Sequence, residues 1–358
     1  MNSENDARIP VTLLTGFLGS GKTTLLNAML RAPEMAGCAV LINEVGAIGI
    51  DHLLVEQVTE DVVLLESGCL CCTVRGEFSR SLRDLFMRRL RGEVKDLRRV
   101  VIETTGLADP APVAHMLMRD FFLAERFRLD GIVTTVDARN VAWQLGQHEE
   151  AVRQVAMADR VVLTKCDLLD EEELADGEAR VRRLNPLASQ WRSRPGAMPE
   201  GLLTGMALYD PASKGEDVLR WLSETAAAEQ TRLRTASAFG RRTASVSAVR
   251  HDERVETHVL RFTEPFTWPV FSDALDFILS LAGERILRIK GLVAIAGEPG
   301  PRVVHGVRQE RYPSFSLPAW PDEDRDTRLV FIVRDVPLEA LELGFKLRTE
   351  AASETTGE

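Results

Sequence analysis

The sequence predicts a doubly wound α/β domain on a mostly parallel sheet, followed by a second, smaller α+β domain. Apolar runs of strand length alternate with helical patterns through the first part of the chain, as in parallel sheets covered by helices on both faces. This alternation ends near residue 226, where the pattern changes. The length of 358 residues also suits two domains.

The first domain is predicted over residues 1–226. Its first strand covers residues 9–15, a glycine-rich turn covers 16–24, and a helix begins at Leu25. Further strands are predicted at 39–42, 62–65, 99–102, 131–136 and 160–163, and helices at 78–90 and 171–184. Strands that alternate with helices in this way indicate βαβ units.

The second domain is predicted over residues 248–349, after a small, polar and basic stretch at 227–247 that suits a linker. The polar tail, 350–358, is predicted to be disordered. Strands are expected at 255–262, 286–295, 303–307 and 329–333, and helices at 270–281 and 338–347. This order is typical of α+β domains such as the split βαβ type.

Composition excludes several classes of partner. The formal net charge is -10 and no dense Lys/Arg stripe is present, so we expect no binding to nucleic acid. No apolar run approaches the roughly 20 residues of a membrane span, and the polar start lacks the apolar core of a signal peptide. We therefore expect a cytoplasmic protein that does not act at a membrane. The 5 cysteines, an odd number, argue against a disulfide framework.

The turn after the first strand matches the phosphate-binding motif GxxxxGK[ST]. Backbone N–H groups of such a loop converge on phosphate oxygens, and the following helix adds a favourable partial charge. We expect the Lys22 ammonium to reach the β- and γ-phosphates and the Thr23 hydroxyl to bind Mg²⁺. The predicted phosphate-binding residues are Gly16, Gly19, Ser20, Gly21, Lys22, Thr23 and Thr24, with Lys22 also catalytic. The alternative is a glycine-rich turn that binds nothing.

The base is predicted to be guanine. Thr164-Lys165-Cys166-Asp167 follows a predicted strand and is similar to the NKxD signature of GTPases, with Thr in place of Asn. The Asp167 carboxylate would accept hydrogen bonds from guanine, while the stem of Lys165 packs on the base. Adenine lacks those donors, so Asp167 would stay unpaired. The alternative is a surface loop in which Asp167 caps a helix.

A second acidic strand end is expected to face the phosphates. Glu103-Thr-Thr-Gly106 follows the strand at 99–102, and parallel sheets bind ligands at that edge. Glu103 can hold Mg²⁺ through water or orient the attacking water, and the Gly106 amide can meet the γ-phosphate. We assign both as catalytic. The alternative is a helix cap before Pro110.

Three cysteines, Cys69, Cys71 and Cys72, lie within four residues, which suggests a soft metal ion such as Zn²⁺. Three thiolates leave a fourth position for water, a carboxylate or an incoming ligand. Two different explanations stay open: buried cysteines that act as small hydrophobic residues, and a redox dithiol. Cys38 and Cys166 stand alone and are expected to be structural.

Four motifs in this order resemble the CobW family of P-loop GTPases: GFLGSGKTTLL (16–26), NEVGAIGID (43–51), GCLCC (68–72) and ETTGLADP (103–110). TKCDL (164–168) fits as a fifth. Residues 287–291 and 328–332 are similar to the family's C-terminal module, so the resemblance covers nearly the whole chain. Thr164 departs from the usual Asn, and the six histidines form no storage tract.

The resemblance implies a GTPase that binds a transition metal, zinc above all, and delivers it to a client metalloprotein. It implies Cys69, Cys71 and Cys72 as metal ligands, and Glu44 as an oxygen ligand to metal or Mg²⁺, unless Glu44 is a turn residue. The cargo could instead be Co²⁺, for cobalamin synthesis or nitrile hydratase. Two further functions stay open, a GTPase switch with structural zinc and an ATP-using kinase or ligase. A nucleotide-dependent homodimer also stays open.

The second domain has no catalytic task in this scheme. Arg288, Lys290 and His305, expected near strand ends, are therefore predicted to present a surface for the client. The alternative is a lid that stabilises the first domain.

Overall fold

The computed structural model describes residues 7–42, 63–66, 74–94, 96–203 and 255–355. The described residues form two compact units. The first contains those within 7–182 and 188–203, and the second contains 183–187 and 255–355. The predicted linker and the boundary near residue 226 lie outside the described residues.

The first unit is built on a seven-stranded sheet. Its strands are β1 (Ile9–Gly16), β2 (Cys38–Ile42), β3 (Val63–Glu66), β4 (Arg99–Glu103), β5 (Phe127–Asp137), β6 (Arg160–Thr164) and β7 (Ser189–Arg192). They lie in the order β3-β2-β4-β1-β5-β6-β7, and every neighbouring pair is parallel. Strands β4, β2 and β3 lie on one side of β1 and strands β5, β6 and β7 on the other, which confirms the doubly wound prediction.

Seven α-helices accompany this sheet in the described residues: α1 (Lys22–Leu30), α2 (Val74–Leu90), α3 (Ala111–Arg119), α4 (Phe121–Arg126), α5 (Val141–Gln147), α6 (Glu149–Met157) and α7 (Glu171–Leu184). Helix α1 begins at Lys22 rather than at Leu25, because Gly21 makes the left-handed turn at its start (φ 85°). Asp120 caps α4 by accepting a hydrogen bond from the Leu123 N–H at 3.2 Å.

Helix α1 packs on one face of the sheet. Leu26 and Met29 of the helix are fully buried against Val40, Val101 and Val133, which come from three different strands. Branched aliphatic side chains on the strands and long ones on the helix form a continuous apolar layer. This layer fixes the first turn of α1 relative to the end of β1.

The second unit is antiparallel. Its elements are β8 (Val255–Phe262), α8 (Trp268–Ala282), β9 (Ile286–Val293), β10 (Arg302–Val307), β11 (Glu310–Arg311), β12 (Phe315–Ser316), β13 (Thr327–Arg334) and α9 (Leu338–Thr355). The sheet order is β11-β10-β9-β13-β8, with β12 beside β10. This confirms a smaller α+β domain.

The end of the second unit differs from the prediction. Helix α9 continues to Thr355, whereas the sequence predicted its end at Leu347 and disorder from residue 350. Its first turns are anchored by the buried Leu341 and Phe345, and alanines at 351 and 352 favour continuation of the helix. Within the described ranges, no helix is both long and apolar enough to span a bilayer.

Candidate functional site

The loop between β1 and α1 has the predicted shape of a phosphate-binding turn. Gly16, Gly19 and Gly21 all have positive φ. The Ser20 N–H donates to the Phe17 carbonyl at 3.1 Å, which closes the loop into a compact turn. The loop ends at the N-terminus of α1, where free N–H groups favour an anion.

Gly16 is a position that only glycine can fill. Its φ is 146°, and a Cβ there would lie 2.2 Å from the Thr135 hydroxyl oxygen and 2.7 Å from that of Ser20. Those two hydroxyls bond each other at 2.7 Å, and Ser20 is buried. The loop therefore begins where the end of β1 packs tightly against β5. The Ser20 side chain is engaged with Thr135, so what Ser20 offers a phosphate is its backbone.

Lys22 lies folded over its own loop. Its Nζ donates to the Gly16 carbonyl at 2.8 Å and lies 3.5 Å from the Phe17 carbonyl oxygen. The ammonium is thus held above the loop that would carry the phosphates. Thr23 is half-buried and Thr24 is exposed on the first turn of α1.

The predicted base-recognition loop follows β6 and contacts the phosphate loop directly. The Thr164 hydroxyl is buried and donates to the Ser20 carbonyl at 2.7 Å. Lys165 has a left-handed backbone (φ 57°), and Asp167 is exposed on the short 3-10 turn that follows. Thr164 therefore ties the end of β6 to the phosphate loop.

Asp137 is a residue that the sequence analysis missed. It is the last residue of β5, it is buried, and its carboxylate pairs with the Lys165 Nζ at 2.6 Å. It also accepts hydrogen bonds from the Arg139 N–H at 3.1 Å and the Asn140 amide at 2.9 Å. A carboxylate at the end of an apolar strand was the available signal. Asp137 fixes the lysine whose stem is predicted to pack on the base.

Glu103 ends β4 on the same edge of the sheet. It is buried at 6% exposure and lies in register with Leu14, two residues before Gly16. The next residue, Thr104, donates through its N–H to the Leu14 carbonyl at 3.0 Å. This hydrogen bond extends the pairing with β1 beyond the end of β4. Two residues later Gly106 lies against Leu18 of the phosphate loop.

The predicted residues that follow β4, β1 and β6 therefore meet at the carboxyl edge of the sheet, together with Asp137 at the end of β5. Glycine loop, acidic strand end and base loop form one constellation. Oxygen donors from Thr23 and Glu103 are the chemistry that Mg²⁺ prefers.

The predicted metal ligands Cys69, Cys71, Cys72 and Glu44 lie outside the described residues, as does the whole segment 43–51. Within the part of the chain that the structure describes, no three His, Cys, Asp or Glu side chains are grouped as a metal site. Cys38 is buried in β2, and burial raises the pKa of its thiol to about 11, so it stays neutral.

The prediction that the second unit presents a client surface is wrong for two of the three residues named for it. Arg288 is completely buried and Lys290 is 9% exposed, and both lie in the middle of β9 rather than at its end. His305 pairs with Lys290 across β10 and β9. Buried cations in mid-strand cannot present a surface to another protein.

Two family models match the chain. Residues 10–192 match the family described as CobW/HypB/UreG, nucleotide-binding domain, and residues 255–347 match the Cobalamin synthesis protein cobW C-terminal domain.

Two curated relatives match over nearly the full length of both chains. The chain is 30% identical to "Zinc chaperone YjiA" of Escherichia coli, covering 94% of this chain and 98% of that protein. It is 33% identical to "Zinc chaperone CobW" of Pseudomonas aeruginosa, covering 97% and 92%.

Two solved structures are similar to the chain over nearly its full length. The crystal structure of Zn(II)-bound YjiA GTPase from E. coli has a TM-score of 0.68 at 26% identity, covering 97% of this chain and 99% of that one. A Zn(II)-bound YjiA triple mutant, with one glutamate and two cysteines changed to alanine, matches equally well.

Proposed function

The chain belongs to the CobW family of P-loop GTPases, and we propose that it hydrolyses GTP and uses the cycle to bind zinc and deliver it to a client metalloprotein. One observation carries the proposal: the phosphate loop, the Glu103–Gly106 loop and the base loop lie together on one sheet edge. The names of the relatives support zinc as the cargo.

In this proposal the phosphates lie on the loop from Gly16 to Thr24, with Lys22 over the β- and γ-phosphates. The Lys22 ammonium donates to the Gly16 carbonyl of its own loop, and a bound triphosphate would replace that carbonyl as the acceptor. Asp167 accepts from guanine, and Lys165, held by Asp137, packs on the base. The bond from Thr164 to Ser20 keeps the base and phosphate loops in one register.

Mg²⁺ would be held by Thr23, with Glu103 facing it directly or through water. When bound, it neutralises charge on the phosphate oxygens. Glu103 sits on a buried strand end, so its carboxylate is fixed in place and can orient the attacking water. The Gly106 amide is the proposed sensor of the γ-phosphate.

Zinc is the cargo, and its proposed ligands are the thiolates of Cys69, Cys71 and Cys72, with Glu44 as a candidate fourth ligand. Support comes from the sequence pattern and from relatives described as zinc chaperones and as Zn(II)-bound. Thiolate sites also take Co²⁺, which stays an alternative cargo. The proposed location is the cytoplasm, where thiols stay reduced.

Nucleotide choice is tested first. We expect GTP to compete with a fluorescent GDP analogue far better than ATP does. Asp167→Asn should weaken GTP and favour xanthosine nucleotides, because the carboxylate no longer accepts from guanine. Equal binding and turnover of ATP and GTP by the native protein would contradict the guanine assignment and favour an ATP-using enzyme.

The decisive experiment is a zinc-competition titration with a non-hydrolysable GTP analogue and with GDP, each with Mg²⁺. If zinc release is driven by hydrolysis, zinc affinity should differ between the two states by roughly 5- to 150-fold, and zinc should change the ratio of GTP affinity to GDP affinity by the same factor. The presence of zinc alone is not a sufficient readout, because the YjiA triple mutant with two cysteines replaced is still Zn(II)-bound. The zinc affinity therefore has to be measured.

Matched cysteine variants locate the site. Changing Cys69, Cys71 or Cys72 to Ala should abolish the nucleotide-dependent part of zinc binding, whereas Cys38→Val and Cys166→Ala should leave it intact. Equal zinc affinity in both nucleotide states would leave a metal-binding GTPase, with zinc as a structural ion, and remove the chaperone mechanism.

A further inference from the structure

Helix α6 holds the loop from 105 to 108 through one side chain. Gln154 is fully buried, and its Nε2 donates to the Gly106 carbonyl at 3.2 Å and to the Ala108 carbonyl at 3.0 Å. The Ala108 N–H closes a turn by donating to the Thr105 carbonyl at 3.0 Å. The loop from 105 to 108 is therefore one compact turn, bonded at two points to α6.

The position in which Gln154 holds this turn is next to the phosphate loop. A Cβ on Gly106 would lie 2.5 Å from Leu18 Cδ2 and 3.0 Å from the Leu18 Cα. Gly106 therefore packs directly on the side chain and Cα of Leu18, with no room for a side chain of its own. The turn is held where the Gly106 amide can reach a phosphate on the neighbouring loop.

The amide of Gln154 has an energetic cost that points to its role. Its Oε1 is buried and has no hydrogen-bond partner among the described residues. An unsatisfied buried oxygen destabilises a fold, and leucine, of similar size, would avoid it. The gain that offsets this cost is the pair of bonds donated to the turn.

We propose that Gln154 is a positioning residue for the γ-phosphate. It holds Gly106 against the phosphate loop before nucleotide arrives, so GTP does not have to order the turn. The inference rests on the proposed GTPase function. It predicts that Gln154 favours triphosphate over diphosphate, because only the γ-phosphate reaches Gly106.

The test compares affinities of a non-hydrolysable GTP analogue and of GDP, both with Mg²⁺, in the full chain. Gln154→Leu should lower the preference for the GTP analogue over GDP by about tenfold, since both donated bonds are lost. GDP affinity should stay within about twofold, and kcat for GTP should fall with the preference. Thermal stability should fall, because the Gly106 and Ala108 carbonyls lose their donor.

Thr134→Val is the matched control. The Thr134 hydroxyl donates to the backbone carbonyl of Gln154 at 2.9 Å, so this variant loosens the same helix turn without touching the loop. We expect a lower Tm and an unchanged preference for triphosphate. Parallel loss of preference in Thr134→Val would overturn the proposal, since helix stability alone would then explain the effect.

Gln154→Met, which keeps a long unbranched side chain without a donor, repeats the measurement if the leucine variant does not fold. An unchanged preference in a folded Gln154 variant overturns the inference while the native protein still binds GTP. A native protein that binds neither nucleotide would overturn the proposed function as well.

Discussion

The two edges of the parallel sheet use polar residues in opposite ways. At the amino edge, where strands begin, charged side chains pair with each other and with the chain that crosses them. At the carboxyl edge, where strands end, side chains hold loops in place and leave backbone groups directed at one region. The comparison separates charge that stabilises the fold from charge that prepares a site.

Asp130 is the centre of the amino edge. It lies at the irregularity where β5 gains a residue against Val11 and Thr12 of β1, and it is almost completely buried. Arg99 forms an ion pair with one oxygen and Arg128 approaches the other at 3.4 Å. A bulge here aims the carboxylate at the start of β4.

The same edge anchors the last described segment of the first unit. Arg99 donates to the Leu203 carbonyl at 3.2 Å, and Arg160 donates to the Gly201 carbonyl at 2.7 Å. Leu202 and Leu203 are then buried in the core beside α1. These arginines serve packing, and no part of the proposed chemistry uses them.

The largest expected effect is at the carboxyl edge. Lys22→Ala should reduce GTP affinity or turnover on the order of 1,000-fold, about 4 kcal/mol, because the phosphate charge loses its cation. Stability should change little, since Lys22 is only half-buried and donates to carbonyls of its own loop. Isothermal titration with GTP and a urea melt measure the two quantities. If Lys22→Ala lowered the free energy of unfolding as much as the free energy of GTP binding, the carboxyl edge would not differ from the amino edge in the role of its charges.

The next effect is at the amino edge. Asp130→Ala should lower the free energy of unfolding by about 3 kcal/mol, because Arg99 and Arg128 keep their charges without the buried partner. Nucleotide affinity, measured where the variant is folded, should stay within about twofold. Asp96→Ala is the control, since Asp96 pairs with Arg98 on the exposed surface and its loss should cost little.

A smaller effect at the same edge depends on pH. Burial raises the pKa of Cys38 from 9.0 to about 11, against the opposing charges of Arg99 and Arg98. The folded state therefore binds this proton more tightly than the unfolded state. The stability that this group contributes is fully present below pH 9 and is lost as pH rises to 11, by about 2 kcal/mol.

Cys38→Val should remove that part of the alkaline loss. The measurement is a series of urea melts from pH 8 to 11 on both proteins, and the difference between them isolates the thiol. Cys166→Ala is the control, because burial also raises the pKa of Cys166 but its side chain is partly exposed. Identical alkaline curves for native and Cys38→Val protein would contradict the assignment.

Much of the first unit follows from the sequence because its signals are local. The motif from Gly16 to Thr23 requires a strand before it and a helix after it, and the structure has β1 and α1 there. Short helices were missed: α3 to α6 have nine residues or fewer, and their caps resemble turns. Strand β7 has four residues and no apolar run, so only pairing with β6 defines it.

Contacts between loops could not be predicted, because they depend on the register of distant strands. The bond from Thr164 to Ser20 joins residues 144 apart, and that from Gln154 to Gly106 joins residues 48 apart. The burial of Arg288 and Lys290 was missed for a similar reason: alternation along β9 does not say what covers each face. Sequence motifs predicted the residues of the candidate site, whereas the tertiary contacts among them had to be observed.

The smallest expected effect tests whether Asp137 belongs with the site or with the scaffold. Asp137→Asn keeps the shape and an acceptor for the Arg139 N–H, but removes the charge that holds Lys165. Because Lys165 is partly exposed, we expect only about a tenfold loss of affinity, near 1.4 kcal/mol. The loss should be equal for GTP and GDP, since both carry the same base, which distinguishes it from the triphosphate effect of Gln154→Leu. Asn140→Ala, which removes another partner of Asp137 without touching Lys165, should leave both affinities near native. A loss of stability with unchanged nucleotide affinity in Asp137→Asn would instead assign this carboxylate to the scaffold, as at the amino edge.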